Sequence, residues 1–238
     1  MENLSIVIPF YNEGKRLKKS LYEIKKFLNK NKNIEIIFVN DGSNDNSEKI
    51  IKQFMNNFEK KNIIRYLYYK KNVGKGFAIK KGVLASKKKW ILICDADMSV
   101  KPNQLNEWFK KKYISNKKEA YFGSRKHSLS KIKTSYVRKT LGIFFNLIIN
   151  YLLNIRLKDT QCGFKLFNKK YAKSIFKNII SYRFAFDVEL VLLLEKKNIK
   201  ILELPVNWKH KDGSKLNIFY DMPIMFIDIL KIKLKNIN

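Results

Sequence analysis

The sequence predicts an α/β protein: a mostly parallel sheet with helices on both faces and amphipathic helices towards the C-terminus. Three observations predict it. Apolar runs rich in β-branched residues alternate with helical patterns through the first half. The connections are short, which sets successive strands side by side through crossover helices. The unusual residues gather just after the apolar runs, where open parallel sheets bind their ligands.

Residues 4–9 (LSIVIP), 34–40 (IEIIFVN), 63–69 (IIRYLYY), 90–95 (WILICD) and 120–124 (AYFGS) read as strands, bounded by Gly, Asn or Asp. Residues 14–29, 44–58, 75–86 and 102–112 read as helices. Asn44 or Ser43 suits the N-cap of the second, and Pro102 the first turn of the fourth. The second half is less regular. Residues 136–154 read as a helix, 163–167 (GFKLF) as a strand, 169–177 and 186–197 as helices, and 199–208 as a strand. The segment 217–235 reads as an apolar helix ending in Lys231, Lys233 and Lys235. No internal repeat and no Pro/Gly/Ser-rich linker breaks the 238 residues, so one domain with a C-terminal elaboration is expected.

A formal charge of +30, from 50 Lys+Arg against 20 Asp+Glu, points to anionic partners: nucleic acid, an anionic membrane or a phosphorylated substrate. Lys, Asn and Ile are abundant together, as AT-rich coding sequences produce, so charge alone does not choose among these. Zinc-finger spacing, an RRM core motif and a helix-turn-helix signature are all missing, and the aromatics lie in apolar runs; this argues against nucleic acid. Two cysteines, Cys94 and Cys162, suggest free thiols in a reducing compartment. The start, MENLSIVIPF, does not read as a signal peptide. No window offers the roughly 18 uncharged apolar residues of a membrane span; the nearest, 141–155, carries three Asn.

Carboxylates are scarce, yet Asp95 and Asp97 stand together at the end of a buried strand in LICDADMSVKP. Placed in a turn, two such carboxylates face one hard divalent cation, Mg²⁺ or Mn²⁺, which also takes phosphate oxygens from a substrate. Asp also serves plain turns, so the pair alone does not decide. Asp41 ends another strand in VNDGSNDNS, where it can accept from a base N–H or a sugar hydroxyl. NVGKGFAIKKG opens a helix at Gly74, Lys75 and Gly76, offering backbone N–H groups and a cation to phosphate. Neither a Walker A loop nor a G-x-G-x-x-G after the first strand is present.

IVIPFYNE, VNDGSNDNS, NVGKGFAIKKG and DADMS, in this order and spacing, resemble glycosyltransferase family 2, which implies the GT-A fold, Rossmann-like, and a nucleotide-diphosphate sugar donor. GSR (123–125), DTQCGFKLF (159–167), RFAFDVELV (183–191) and ELPVNWKHKDGSKL (203–216) narrow this. They resemble the polyprenyl-phosphate sugar transferases, above all the dolichyl-phosphate β-glucosyltransferases, with the mannosyltransferases close by. The resemblance implies one GT-A domain over 1–238, with a nucleotide-sugar half (1–125) and an acceptor and membrane-facing half (126–238).

It also implies roles. Pro9, Tyr11, Glu13 and Asp41 hold the nucleoside; Lys75 lies near the diphosphate; Asp95 and Asp97 form the metal motif, and Ala96 between them borders the nucleotide sugar. Ser99 stands where mannosyl relatives carry a Gln that assists the metal. This leaves the third ligand open and leans away from GDP-mannose, while FDVEL and VNW…GSKL resemble the glucosyl group and so imply UDP-glucose. Arg125 and Lys215 match basic residues around donor and acceptor phosphates, while Arg138, Gln161 and Ser214 belong to the acceptor side. Asp187 and Glu189 match a region that supplies a base when the acceptor is a hydroxyl; a phosphate acceptor needs less help. Asp159 and Gln161 shape the acceptor loop, and a lone His210 is either structural or near the metal. The expected partners are a nucleotide sugar (UDP-glucose or GDP-mannose), a polyprenyl phosphate and a membrane surface, with attachment peripheral on the cytoplasmic face.

Overall fold

The structure, a computed structural model, describes residues 3–58, 63–115, 118–133, 153–211, 213 and 218–237. The helix expected over 136–154, with Arg138, lies almost wholly outside them, as do Ser214 and Lys215.

The first half alternates strand and helix as its periodicity demands: β1 (Leu4–Phe10), α1 (Gly14–Lys30), β2 (Ile34–Asp41), α2 (Ser47–Asn56), β3 (Ile64–Tyr69), α3 (Lys75–Ala85), β4 (Trp90–Cys94), α4 (Gln104–Lys110) and β5 (Glu119–Ser124). Then come β6 (Lys131–Lys133), β7 (Phe164–Asn168), α5 (Lys169–Asn178), α6 (Phe186–Lys196), β8 (Lys200–Pro205), β9 (Asn207–Lys209) and α7 (Ile218–Ile237).

One seven-stranded sheet runs in the order β3-β2-β1-β4-β7-β5-β8. It is parallel except at β7, which pairs antiparallel with β4 and with β5. Both faces are buried, so the strands read as unbroken apolar runs. Alternate residues feed two cores. Leu4, Ile6 and Ile8 pack with Leu17, Ile51 and Trp108 from α1, α2 and α4. Val7, Ile37 and Val39 pack with Ile79, Ile175, Val191 and Ile229 from α3, α5, α6 and α7. Each such side chain contributes about 1.5–3 kcal/mol.

Three local expectations are corrected. Neither Asn44 nor Ser43 caps α2. That helix starts at Ser47, whose N–H is met by Asp45 Oδ1 at 2.9 Å. The polar run instead knits the β2 end to the β1 end: Ser43 Oγ accepts from Asn12 N at 3.0 Å, and Asn44 N donates to Asn12 Oδ1 at 2.9 Å. Pro102 lies just before α4, accepting from Leu105 N at 3.0 Å. The strand expected over 199–208 breaks at Val206, whose N–H and C=O turn to Ser130 Oγ and Lys131 N, so that β9 pairs with β6 in a small second sheet.

Candidate active site

The C-terminal ends of β1, β2, β4 and β5 open onto a cleft of about 500 Å³. Twelve residues expected at the site line it: Pro9 near the end of β1 with Tyr11 and Glu13 beyond it; Asp41, the last residue of β2; Lys75 at the start of α3; Asp95, Ala96, Asp97 and Ser99 after β4; Arg125 after β5; Gln161 before β7; and Asp187 in the first turn of α6.

Asp41 lines the cleft and is engaged by the 72–74 segment. Oδ1 accepts from Val73 N at 2.8 Å, Oδ2 accepts from Gly74 N at 3.0 Å, and Asn72 Nδ2 donates to Oδ2 at 2.9 Å. Burial pushes its pKa up despite these bonds. The glycines of α3 serve packing. A Cβ at Gly74 would stand 2.3 Å from Tyr182 O, and one at Gly76 2.5 Å from Ser181 O. Phe77 N donates to Tyr182 O at 3.1 Å. Of the amides expected to face phosphate at Gly74, Lys75 and Gly76, that of Gly74 already has a protein acceptor in Asp41. Glu189 holds the same 180–182 loop by accepting from Ile180 N and Ser181 N, at 3.0 and 2.7 Å.

Asp95 and Asp97 occupy a tight turn. Met98 takes φ +53° and donates its N–H to Asp95 O at 3.1 Å, while Asp97 Oδ1 accepts from Ser99 N at 2.9 Å. Asp95 Oδ1 sits 2.6 Å from Lys75 Nζ, and Asp97 Oδ2 3.5 Å from Arg16 Nη1. Burial works against both members of the first pair, yet Lys75 holds the Asp95 pKa down and Asp95 holds that of Lys75 up. Gly163 leaves the space for this carboxylate, since a Cβ there would lie 1.9 Å from Asp95 Oδ2. Two hard oxygen donors at an open turn, each facing a cation, fit a divalent metal that completes its shell from a substrate. Among the described residues no group of three or more His, Cys, Asp or Glu gathers to hold one by itself.

Arg125 is locked to Asp159: its N–H and Nε donate to Oδ2 at 2.8 and 2.7 Å, and Nη2 to Oδ1 at 2.8 Å. Asp159 N donates to Glu203 Oε1 at 2.9 Å, tying the 157–163 loop to β8. Trp208 lies under the guanidinium at 5.9 Å and stacks with His210 at 6.0 Å. Lys165, 1% exposed within β7, donates to Asp187 Oδ1 at 2.6 Å and to Cys162 O at 2.7 Å. Burial nevertheless carries the Asp187 pKa upward past the pull of Lys165 and Lys75. Cys94 and Cys162 are free and buried, and burial pushes the Cys162 thiol up to about 12.

The sequence reading missed Arg16, Asn72, Trp208 and Lys211, which line the cleft, and Lys165 behind it. Arg16 stands among Lys15, Lys18 and Lys19, where one more cation carries no signal. Lys165 had one: a lone charge inside the five-residue strand FKLFN.

A family model for Glycosyl transferase family 2 matches residues 5–176. A dolichyl-phosphate β-glucosyltransferase of Dictyostelium discoideum is 38% identical, covering 98% of this chain and 74% of that protein. Its namesakes in Homo sapiens and Saccharomyces cerevisiae are 34% and 35% identical, covering 98% and 97% of this chain and 76% and 74% of theirs. Among solved structures, glucosyl-3-phosphoglycerate synthase from Mycobacterium tuberculosis, in complex with Mn²⁺, UDP-glucose and phosphoglyceric acid, superposes with a TM-score of 0.70. It is 14% identical, over 98% of this chain and 79% of that one. A mannosyltransferase from Pyrobaculum calidifontis, in complex with GDP-mannose and Mn²⁺, gives 0.64 at 12% identity, over 98% and 63%. The sheet therefore has the GT-A fold, and the chain belongs to glycosyltransferase family 2.

Proposed function

We propose that this chain transfers glucose from UDP-glucose to the phosphate of dolichyl phosphate. The observation that carries the reading is the cleft, where two turn carboxylates are set among Arg16, Lys75, Arg125 and Lys211. Such a site suits a reaction whose leaving group and nucleophile are both phosphates. The full-length relatives add the sugar and the lipid, since their names give both.

In this reading an oxygen of the lipid phosphate attacks the anomeric carbon as the bond to UDP breaks, with inversion. The phosphate is already anionic, so positioning and charge stabilisation suffice. Pro9, Tyr11 and Glu13 border the nucleoside, and Asp41 shapes its pocket through the 72–74 backbone. Asp95 and Asp97 would hold Mg²⁺ or Mn²⁺, which supplies charge neutralisation at the diphosphate when bound. Arg125, oriented by Asp159, would serve the donor and acceptor phosphates together with Lys215; Gln161 borders the acceptor side, to which the resemblance adds Arg138 and Ser214. The halves 1–125 and 126–238 would then serve mainly donor and acceptor. Dolichyl phosphate stays in a bilayer, so the chain works at a membrane surface; no described helix is long and apolar enough to cross one.

A hydroxyl acceptor is the second reading, favoured by the raised pKa of Asp187 on the cleft wall. The test incubates purified protein with Mn²⁺ or Mg²⁺, a short polyprenyl phosphate and, separately, UDP-glucose or GDP-mannose, and weighs the lipid product by mass spectrometry. A glucosyl phospholipid, lost in Asp97→Ala, is expected. Metal-dependent UDP-glucose binding without lipid product would move the acceptor to a hydroxyl.

A further inference from the structure

Each carboxylate of the metal turn already has its own cation, delivered by a different element. Lys75, opening α3, meets Asp95 at 2.6 Å. Arg16, in the first turn of α1, meets Asp97 at 3.5 Å. Arg16 is also held from behind, with Nε and Nη2 donating to the two oxygens of Glu13, whose N–H is bound by Ser47 Oγ at 2.8 Å. Its guanidinium is therefore set at the rim of the turn with one nitrogen on Asp97. Two carboxylates are too few donors to draw a divalent ion away from water and from both cations at once. A nucleoside diphosphate changes the balance. It offers oxygens to the ion and, at the same moment, new acceptors to the displaced ammonium and guanidinium.

We propose that Lys75 and Arg16 are exchangeable counter-cations of the Asp95–Asp97 turn: each holds one aspartate in the free protein and passes to the donor's diphosphate when metal and donor arrive together. This rests on the nucleotide-sugar reading above and adds to it a diphosphate-binding role for Arg16. It has a thermodynamic signature. Metal and nucleoside diphosphate each bind weakly alone and tighten one another by the same factor, whichever is added first.

The experiment titrates MnCl2 into the purified protein, follows free Mn²⁺ by electron paramagnetic resonance, and repeats the titration with saturating UDP or GDP. The wild type is expected to bind Mn²⁺ at least about tenfold more tightly with the nucleotide. Lys75→Met is expected to take up free Mn²⁺ several-fold better than the wild type and to lose most of the coupling. Arg16→Gln should do the same independently, which guards against misfolding of either variant. Lys19→Gln, which removes an exposed cation of α1 that does not line the cleft, should leave both quantities near wild type. Mn²⁺ binding that ignores the nucleotide, or variants that bind free Mn²⁺ no better than Lys19→Gln does, would overturn the exchange while leaving the donor reading intact. Failure to bind UDP or GDP at any Mn²⁺ concentration would overturn the donor reading and the exchange with it.

Discussion

A methyl group at position 163 would collide with all three terminal atoms of the Asp95 carboxyl group, at 1.9, 2.2 and 2.4 Å. The clash has no easy relief, because Gly163 leads directly into the paired strand β7 and a single methylene joins the Asp95 carboxyl to its backbone. Gly163→Ala is therefore expected to displace the carboxylate and cut transferase activity at least about 100-fold. Its melting temperature should stay close to wild type, since the relief lies at the cleft and not in a core; an active Gly163→Ala would remove Asp95 from the site. The residue scale is also where the sequence was least legible. Asp95, Asp97 and Arg125 announced themselves by position in motifs. That Asp41 binds backbone, and that Gly74 and Gly76 admit the 181–182 chain, follows from which segments meet across the fold, and a motif carries no record of that.

At the scale of elements, β7 shows the same limit. GFKLF reads as a strand, but its antiparallel insertion between β4 and β5 depends on residues far along the chain. That insertion carries Lys165 into a site 1% exposed, against Asp187 at the start of α6. Removing one member of such a pair strands a buried charge, so Lys165→Met is expected to cost about 3–5 kcal/mol in chemical denaturation. The double variant Lys165→Met/Asp187→Leu should recover most of that. Transfer to a phosphate acceptor should return with the stability; activity that stays lost while stability recovers would favour Asp187 as the base for a hydroxyl acceptor. The Arg125–Asp159 link between β5 and the 157–163 loop carries a pH signature. Burial alone would raise the Asp159 pKa, but Arg125 outweighs it and holds it below the ordinary 3.8. A depressed native pKa contributes stability above the unfolded value and loses it as pH falls through the native one. Unfolding free energy should thus drop as pH falls below about 4. Asp159→Asn should be less stable at neutral pH by about 1–2 kcal/mol and flatter across that acid range.

Over the whole molecule, the alternating strands and helices made the sheet legible from the sequence, while the second half, with fewer repeated units, did not reveal β6, β9 or the strand order. The C-terminal helix was legible as apolar, and the structure separates its two faces. Met225, Ile229 and Ile232 are buried in the core on the α6 side. Phe226, Ile227, Leu230 and Leu234 form an outward stripe, 41%, 50%, 38% and 67% exposed, with Lys231 beside it. An apolar stripe bordered by cations on a chain of charge +30 suits the interface of an anionic bilayer, where a dolichyl phosphate would be met. Coulomb attraction would bring the chain to the surface and apolar burial would hold it there, and the two respond differently to perturbation. Sedimentation with phosphatidylserine-rich vesicles should fall as salt rises, because surface charges are screened beyond about 10 Å at 0.1 M. Phe226→Ser/Leu230→Ser should lower the vesicle-bound fraction on the order of tenfold at any one salt concentration. The folded state should be spared, since both side chains already face water, and turnover of a short water-soluble polyprenyl phosphate should stay near wild type. Vesicle binding that survives both substitutions would place the membrane contact on another surface of the molecule.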